Sequence, residues 1–493
     1  MPDGPAPAES LTRRILSETS RFAALQAANA GLGWGAQVVL ARLLDQRDFG
    51  VYGICTFYIG IGQLLGDGGL GATLLRRKAA ATLEEYRATV TSLLGLAGLF
   101  ALGLWIAAPI IAAKNHFTAH ETWALRVMAP LYFVGAFRVA PYVRLERELR
   151  FGAIARIELA AQAFKHLVAL SLAAADGGLW ALVVSELCGS ALRLAAAYRT
   201  APGWVGLGWT WRAFQPLIAY GSKVQAIALC AYVKDNLSRA LLGTLLGPAA
   251  VGLYDFGLGY IQIPVIAVNG LARVQLPVYA RFDIDDPALY NTLRGAIRTA
   301  LLLGLPFLGL LAWTAPWLIE ALYGAKWTPS QPVVWGLLLN MACSLTLSPL
   351  FTLLQAQGHA GQALKVFTLW TTGTWLASLA GYHLGQGQLG PIAAAASCTT
   401  LLVTTYLFRW VRQHLARDLF GDTRNLIAAG LLALGAAALA NTQRQHPVVL
   451  AALFVAVYVF TVYALERQQI VAELNALTAA LKSRNPSRVA APS

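Results

Sequence analysis

Charged side chains are scarce in this sequence. They make up 13% of its 493 residues, against 57% hydrophobic ones, and the mean hydropathy is +0.56. A soluble domain carries roughly 25% charged residues, so this chain has too few to cover a water-facing surface. That excludes a soluble globular enzyme, and the apolar content excludes disorder. Cysteine is scarce as well. The five cysteines, Cys55, Cys188, Cys230, Cys343 and Cys398, all lie inside apolar runs and show neither a disulfide framework nor metal-ligand spacing. The sequence lacks a Walker A loop, so ATP is not its built-in energy source. It also lacks any His/Cys/Asp cluster at metal spacing, and neither a cofactor nor a metal is expected. The first 20 residues are polar, with Pro2, Pro5 and Pro7, and predict no cleavable signal peptide.

What is present is apolar sequence in long runs. A hydrocarbon core of about 30 Å needs about 20 apolar residues per helix. Fourteen candidate spans follow, beginning with 22–41 and 51–75 and ending with 425–441 and 446–464. The fold class predicted is an all-α polytopic membrane protein. The net charge of +14 comes from 38 Lys and Arg against 24 Asp and Glu. Those bases punctuate the apolar runs instead of clustering on a solvated face, which argues against a nucleic-acid partner. With the N-terminus placed in the cytoplasm, inside-facing segments hold 26 of the 38 basic residues, and outside loops hold only Arg42, Arg47, Lys114, Arg126, Lys326 and Arg444. That bias satisfies the positive-inside rule and predicts both termini in the cytoplasm. The outside loops are all short, so no soluble extracytoplasmic domain is expected.

The chain repeats itself at an offset of 202 residues, with 10 identities in positions 40–74, among them Gly50 with Gly252, Tyr52 with Tyr254 and Tyr58 with Tyr260. The offset joins spans 1–2 to spans 7–8. Six spans separate the copies, an even number, so both have the same orientation in the membrane. This predicts two parallel lobes related by an axis along the membrane normal. The organisation expected is an N-terminal cytoplasmic segment over 1–21, a first lobe over 22–214 and a second over 215–420. Two further spans over 421–465 and a cytoplasmic amphipathic tail over 466–493 complete it, the tail's stripe being Ile470, Leu474, Leu477 and Leu481.

Ionisable groups within spans are costly in lipid and face a cavity or a partner. The bases are Arg138, Lys165, Lys223, Lys234, Arg239 and Arg273; the acids are Asp67, Glu158, Glu186, Asp235 and Asp255. Glu158, Gln162 and Lys165 stand at i, i+4 and i+7 and make one polar stripe on span 5. Lys223 and Lys234, eleven residues apart, fall on nearly the same face of span 7. Asp235 and Arg239, at i and i+4, are placed to pair. For Lys165, Lys223 and Lys234 the reading favoured is a cavity lining for an anion, with Lys223 alternatively snorkelling to the cytoplasmic surface. Arg138, between Pro130 and Pro141 in a helix expected to bend, suits an anion contact or a carboxylate partner equally. Arg273 joins the anion-contact set. Asp67, Glu158, Glu186, Asp235 and Asp255 are candidates for ion coupling or structural pairing. Asp45-Gln46-Arg47-Asp48, in the first outside loop, reads as a turn.

Three stretches resemble a known family. Ala41-Arg42-Leu43-Leu44, Asp48-Phe49-Gly50-Val51-Tyr52 and Leu64-Leu65-Gly66-Asp67-Gly68-Gly69-Leu70-Gly71 form the first. Leu145-Glu146-Arg147-Glu148-Leu149-Arg150-Phe151 with Arg156-Ile157-Glu158 form the second. Asp235-Asn236, Leu241-Leu242-Gly243 and Gly247-Pro248-Ala249-Ala250-Val251-Gly252-Leu253-Tyr254 form the third. Together, in their order and spacing, they resemble the Wzx-type polysaccharide flippases of the MATE-related transporter superfamily, over most of residues 10–410. The family usually has Leu or Phe where Gly68 stands. The resemblance implies a bacterial inner-membrane flippase, without enzymatic activity. It would carry an undecaprenyl-diphosphate-linked oligosaccharide from the cytoplasmic to the outer leaflet, with membrane lipids and polysaccharide polymerases or glycosyltransferases as partners. A diphosphate crossing a low-dielectric interior needs cations, and the bases in spans 4, 5 and 7 fit that need. Lys165→Ala and Lys234→Ala are expected to lower flipping without loss of folding. The alternatives are a drug or cation antiporter of the same superfamily, a lipid II flippase, and a membrane glycan polymerase or ligase.

Overall fold

A computed structural model of the chain describes residues 25, 28–67, 82–203 except 149, 206–208, 211, 228–263 except 237, 275, and 278–483 except 416 and 444. Every regular element among the described residues is helical. The first helices are α1 (28–43), α2 (Gln46–Asp67), α3 (Leu83–Lys114), α4 (Ala119–Val127), α5 (Leu131–Arg147), α6 (Phe151–Ala174) and α7 (Leu179–Thr200). A helical stretch over 228–235, a π-helical turn (Ser238–Leu242), a single turn α8 (Gly243–Leu246) and α9 (Pro248–Ile261) follow. Then come α10 (Pro287–Tyr323), a 3-10 segment (Ala325–Ser330), α11 (Gln331–Ala356), α12 (Ala360–Leu384), α13 (Leu389–Leu415), α14 (Leu419–Asn441) and α15 (Pro447–Ser483). Among the described residues, nine helical stretches are long and apolar enough to cross a membrane.

The chain divides into two compact units. The first holds Met1–Phe256 with Glu320–Ser330 and Phe367–Trp375; the second holds Gly257–Ile319, Gln331–Val366 and Leu376–Ser493.

In the first unit, local sequence sets the helix starts. Thr82 and Glu85 form a capping box at α3, and Thr118 and Glu121 form another at α4, each satisfying backbone N–H groups that a helix start leaves open. The predicted span 124–143 is interrupted: α4 ends at Val127 and α5 starts at Leu131, with Pro130 between them. The bend expected around Arg138 is instead an interruption before the helix that carries it, and Pro141 lies inside α5. The core joins Val51, Cys55 and Ile59 of α2 to Val90 and Leu93 of α3 and Leu125, Met128 and Tyr132 beyond. Outward-facing Leu99, Leu102 and Ile106 of α3 stay exposed, as a lipid-facing surface requires. α6 and α7, joined by a tight turn at 175–178, pack along each other as an antiparallel hairpin.

The two copies of the repeat meet in this unit. A Cβ added to Gly50 of α2 would stand 1.7 Å from the Pro248 carbonyl oxygen, and one added to Gly252 of α9 would stand 2.0 Å from that of Gln46. Only glycine allows this backbone approach.

In the second unit α11 packs on α13 and α14 on α15. α10 starts at Pro287, eight residues before the predicted span, so Arg294 and Arg298 belong to the helix. Arg298 donates to both Glu466 oxygens at 2.6 and 3.2 Å, and both residues are buried. Predicted span 14 and the tail form the single helix α15 as far as Ser483. The side chains of Ile470, Leu474, Leu477 and Leu481 lie outside the described residues.

Candidate functional site

The polar stripe of α6 meets its counterpart on α7. Glu158, Gln162 and Lys165 repeat at i, i+4 and i+7, and Glu186, Ser190 and Arg193 repeat on α7 with the same spacing. Because the two helices run antiparallel, the stripes pair head to tail. Lys165 Nζ lies 2.5 Å from Glu186 Oε2, and Arg193 Nε lies 2.9 Å from Glu158 Oε2. Gly189 faces the Lys165 stem, where a Cβ would approach Lys165 Cβ to 2.8 Å.

Hydroxyls complete both pairs. Tyr52 of α2 donates to Glu186 Oε2 at 2.8 Å and accepts from Lys165 at 3.2 Å, and Ser190 donates to Glu186 Oε1 at 3.2 Å. Tyr142 of α5 donates to Glu158 Oε1 at 2.5 Å. The four ionised side chains keep only 17 to 27% of their surface exposed, so their charges act through a medium of low dielectric.

A cavity of about 200 Å³ opens beside these pairs, lined by Thr56, Gln63, Arg138, Glu186, Ser190 and Arg193 among others. Arg138 lies 5.2 Å from the centroid of the Tyr142 ring and makes no ion pair among the described residues. The one carboxylate on this lining, Glu186, is paired with Lys165, and Arg138, whose charge also acts on the half-buried Glu146, stands on the cavity without an ion pair among the described residues. A guanidinium in that position can take a phosphate through two parallel hydrogen bonds.

A second polar cluster lies in the same unit. Arg239 donates to Asp255 Oδ2 at 2.7 Å and to Asn236 Oδ1 at 2.7 Å. The expected Asp235–Arg239 pair is not the one formed. The helix breaks in a turn at Asn236 and resumes as the π-helical turn from Ser238, so the i, i+4 geometry is lost. Asp235 pairs instead with Lys234, whose ammonium lies 4.1 Å from the centroid of the Trp370 ring. Asp67 is the last residue of α2; its side chain, and Lys223 and Arg273 altogether, lie outside the described residues. Among the described residues no group of three or more His, Cys, Asp or Glu could hold a metal.

Sequence reasoning missed Arg193, Tyr52 and Tyr142. Arg193 sits near the end of its predicted span and reads as one more cytoplasmic base. The signal that finds it is the seven-residue spacing from Glu186, the mirror of the spacing from Glu158 to Lys165.

Comparison with known proteins shows the same architecture. The polysaccharide biosynthesis protein family matches over residues 39–332. The teichuronic acid biosynthesis protein TuaB of Bacillus subtilis (strain 168) is 24% identical over 311 residues; the match covers 61% of this chain and 62% of TuaB, just under two thirds of its length. The succinoglycan biosynthesis transport protein ExoT of Rhizobium meliloti (strain 1021) is 23% identical over 447 residues, covering 87% of this chain and 86% of ExoT. Among solved structures, the lipid II flippase MurJ in an inward closed conformation superposes with a TM-score of 0.71 over 91% of this chain and 99% of its own, at 15% identity. That likeness gives the fold: an all-α, multi-span architecture like that of MurJ.

Proposed function

This chain belongs to the polysaccharide biosynthesis protein family, and from that premise we propose that it is a flippase for a lipid-linked oligosaccharide, the undecaprenyl-diphosphate-linked repeat unit of a surface polysaccharide. It works in the bacterial inner membrane with both termini in the cytoplasm, by alternating access between residues 22–214 and 215–420. Residues 421–465 support the second lobe from the lipid side. It is a transporter and performs no covalent chemistry. Glycosyltransferases supply its substrate and a polymerase consumes the product.

The observation that carries this reading is the guanidinium of Arg138, without an ion pair among the described residues, on a polar cavity inside a membrane-spanning bundle. A diphosphate has little hydration to lean on there and needs a cation. Thr56, Gln63 and Ser190 offer the neutral hydrogen-bonding groups that sugar hydroxyls need, while the isoprenoid tail stays in the bilayer. Of the anion-contact set, Arg138 is the most available; Lys165 and Lys234 reach an anion by exchanging their present carboxylate partners, and Lys223 and Arg273 complete the set. Glu158, Glu186, Asp235 and Asp255 then act as the counter-ions exchanged during transport, with Asp67 as a further coupling candidate. A cation antiporter would need uncompensated carboxylates, and the one on this cavity, Glu186, is compensated by Lys165, as neighbouring Glu158 is by Arg193.

The test is complementation of a deletion strain. The strain accumulates the lipid-linked intermediate on the cytoplasmic side, wild-type protein clears it, and Arg138→Gln protein inserts in the membrane at normal level but clears it at least tenfold more slowly. Clearance at the wild-type rate by Arg138→Gln removes the cavity from the proposal.

A further inference from the structure

The connection between α1 and α2, with its flanking helix ends, is bonded to three other connections, and its bonds fall into two kinds. The first kind reaches residues 321–327, beside a close backbone packing on 248–252. Arg42 donates to the carbonyls of Leu322 at 2.7 Å and Ala321 at 2.5 Å, which α10 leaves open at its C-terminal end. Lys326 returns the favour, donating to Arg42 O at 3.1 Å in the last turn of α1 and to Leu44 O at 2.6 Å just past its end. Gln46 donates to the Lys326 carbonyl. Trp327, fully buried, donates from Nε1 to Ala41 O at 2.8 Å. Its ring is stacked on Phe256 at 4.4 Å and meets Phe49 edge-on at 5.4 Å. The Gly50–Gly252 approach lies beside it.

The second kind stays among α2, α4 and α7. Arg47 clamps both Glu121 oxygens at 2.6 and 2.9 Å and donates to His116 O at 2.8 Å. Asp48 accepts from the Leu179 N–H at the start of α7, although burial raises its carboxyl above the ordinary value.

We infer that the connection between α1 and α2, with the helix ends at 41–50 that flank it, is an outer bolt: its bonds to 321–327 and its packing on 248–252 part when the outer mouth opens, while Arg47–Glu121 and Asp48–Leu179 stay made. The inference rests on the flippase reading and its topology, which put all of these connections on the extracytoplasmic side. The chemistry separates the two kinds. Arg42 is exposed and holds neutral carbonyls; Lys326 keeps 32% of its side-chain surface and holds neutral carbonyls and, at 3.4 Å, the exposed carboxylate of Asp45, so water can replace each bond as it breaks. Parting costs no buried ion pair. Arg47–Glu121 is a two-pronged ion pair with Glu121 only 10% exposed, and breaking it would strand a charge. The bolt also gives a reason for bases on the outside face, where topology disfavours them. Arg42 and Lys326 cap helix ends there, and Arg47 ties down the turn.

Labelling tests this. In a cysteine-free background, Ala41→Cys lies under Trp327 and reacts slowly with a membrane-impermeant maleimide added outside. Adding Arg42→Ala and Lys326→Ala raises that rate roughly fivefold or more, the effect of losing bonds each worth about a factor of five. Arg47→Ala lowers thermal stability without raising the rate. Unchanged labelling in the first variant, an equal rise in Arg47→Ala, or labelling only from the cytoplasmic side overturns the bolt. A second arm links Asp45→Cys to Lys326→Cys with a short bismaleimide. Linked protein is expected to stop moving lipid-linked oligosaccharide; continued transport overturns the bolt and leaves the flippase reading standing. If the unlinked protein moves none, the flippase reading fails, and the labelling rates alone decide whether the turn opens.

Discussion

Gly50 and Gly252 occupy equivalent places in the two copies of the repeat, 202 residues apart, and they pack backbone against backbone. A Cβ on either would run into a carbonyl oxygen of the other copy, at 1.7 Å or 2.0 Å. Sequence identity at this pair thus has a physical cause: a repeat whose copies meet at equivalent residues needs glycine on both sides of the crossing.

Gly50→Ala and Gly252→Ala should each destabilise the protein by about 1–3 kcal/mol or more, the cost of forcing volume into a packed contact. A drop in melting temperature in detergent, or loss of the folded fraction on size exclusion, measures it. Gly95→Ala, where nothing lies within 4 Å of the added Cβ, is the control and should be neutral or slightly stabilising.

Lys165→Ala should cost stability as well as transport, a correction to the unimpaired folding expected from the sequence, because Lys165 is paired with Glu186. It leaves Glu186 as a buried carboxylate with only Tyr52 and Ser190 to hold it, and breaking such a pair costs about 3–5 kcal/mol. Lys165→Ala with Glu186→Ala together should recover much of that loss, and the double-mutant cycle in melting temperature reads the coupling.

Arg138→Gln should leave melting unchanged to within about 0.5 kcal/mol, since it removes no ion pair. Transport should fall at least tenfold in the same protein. The contrast with Lys165→Ala separates a charge that meets substrate from a charge that holds helices together.

Glu466→Ala in the second unit should destabilise by about 3–5 kcal/mol because it strands Arg298 beside the apolar start of the tail. Limited proteolysis should then cut within residues 466–483 faster than in wild type. An unchanged cleavage pattern would show that this pair does not anchor α15.

Much of this architecture is legible in the sequence because membrane helices announce themselves. The apolar runs, the stripe of α6 and the glycine identities of the repeat all follow from period, length and the cost of charge in lipid. Partners are less legible. Arg193 looks cytoplasmic until α7 is laid antiparallel to α6. Asp235 and Arg239 look like a helical pair because a π-helical turn leaves no mark in the i, i+4 pattern. Arg42 and Lys326 bind main-chain carbonyls about 280 positions away, and a carbonyl has the same identity at every residue, so no pattern of side chains points to it.

The central claim is that the protein carries an anionic lipid-linked oligosaccharide across the membrane. Purified protein in liposomes loaded with a lipid-diphosphate-linked oligosaccharide, probed by a glycosidase confined to the outside, measures that directly. Wild-type protein should expose the inner-leaflet pool to the enzyme, and Arg138→Gln should slow the exposure at least tenfold. If wild-type liposomes protect the pool as well as protein-free ones do, the account is wrong.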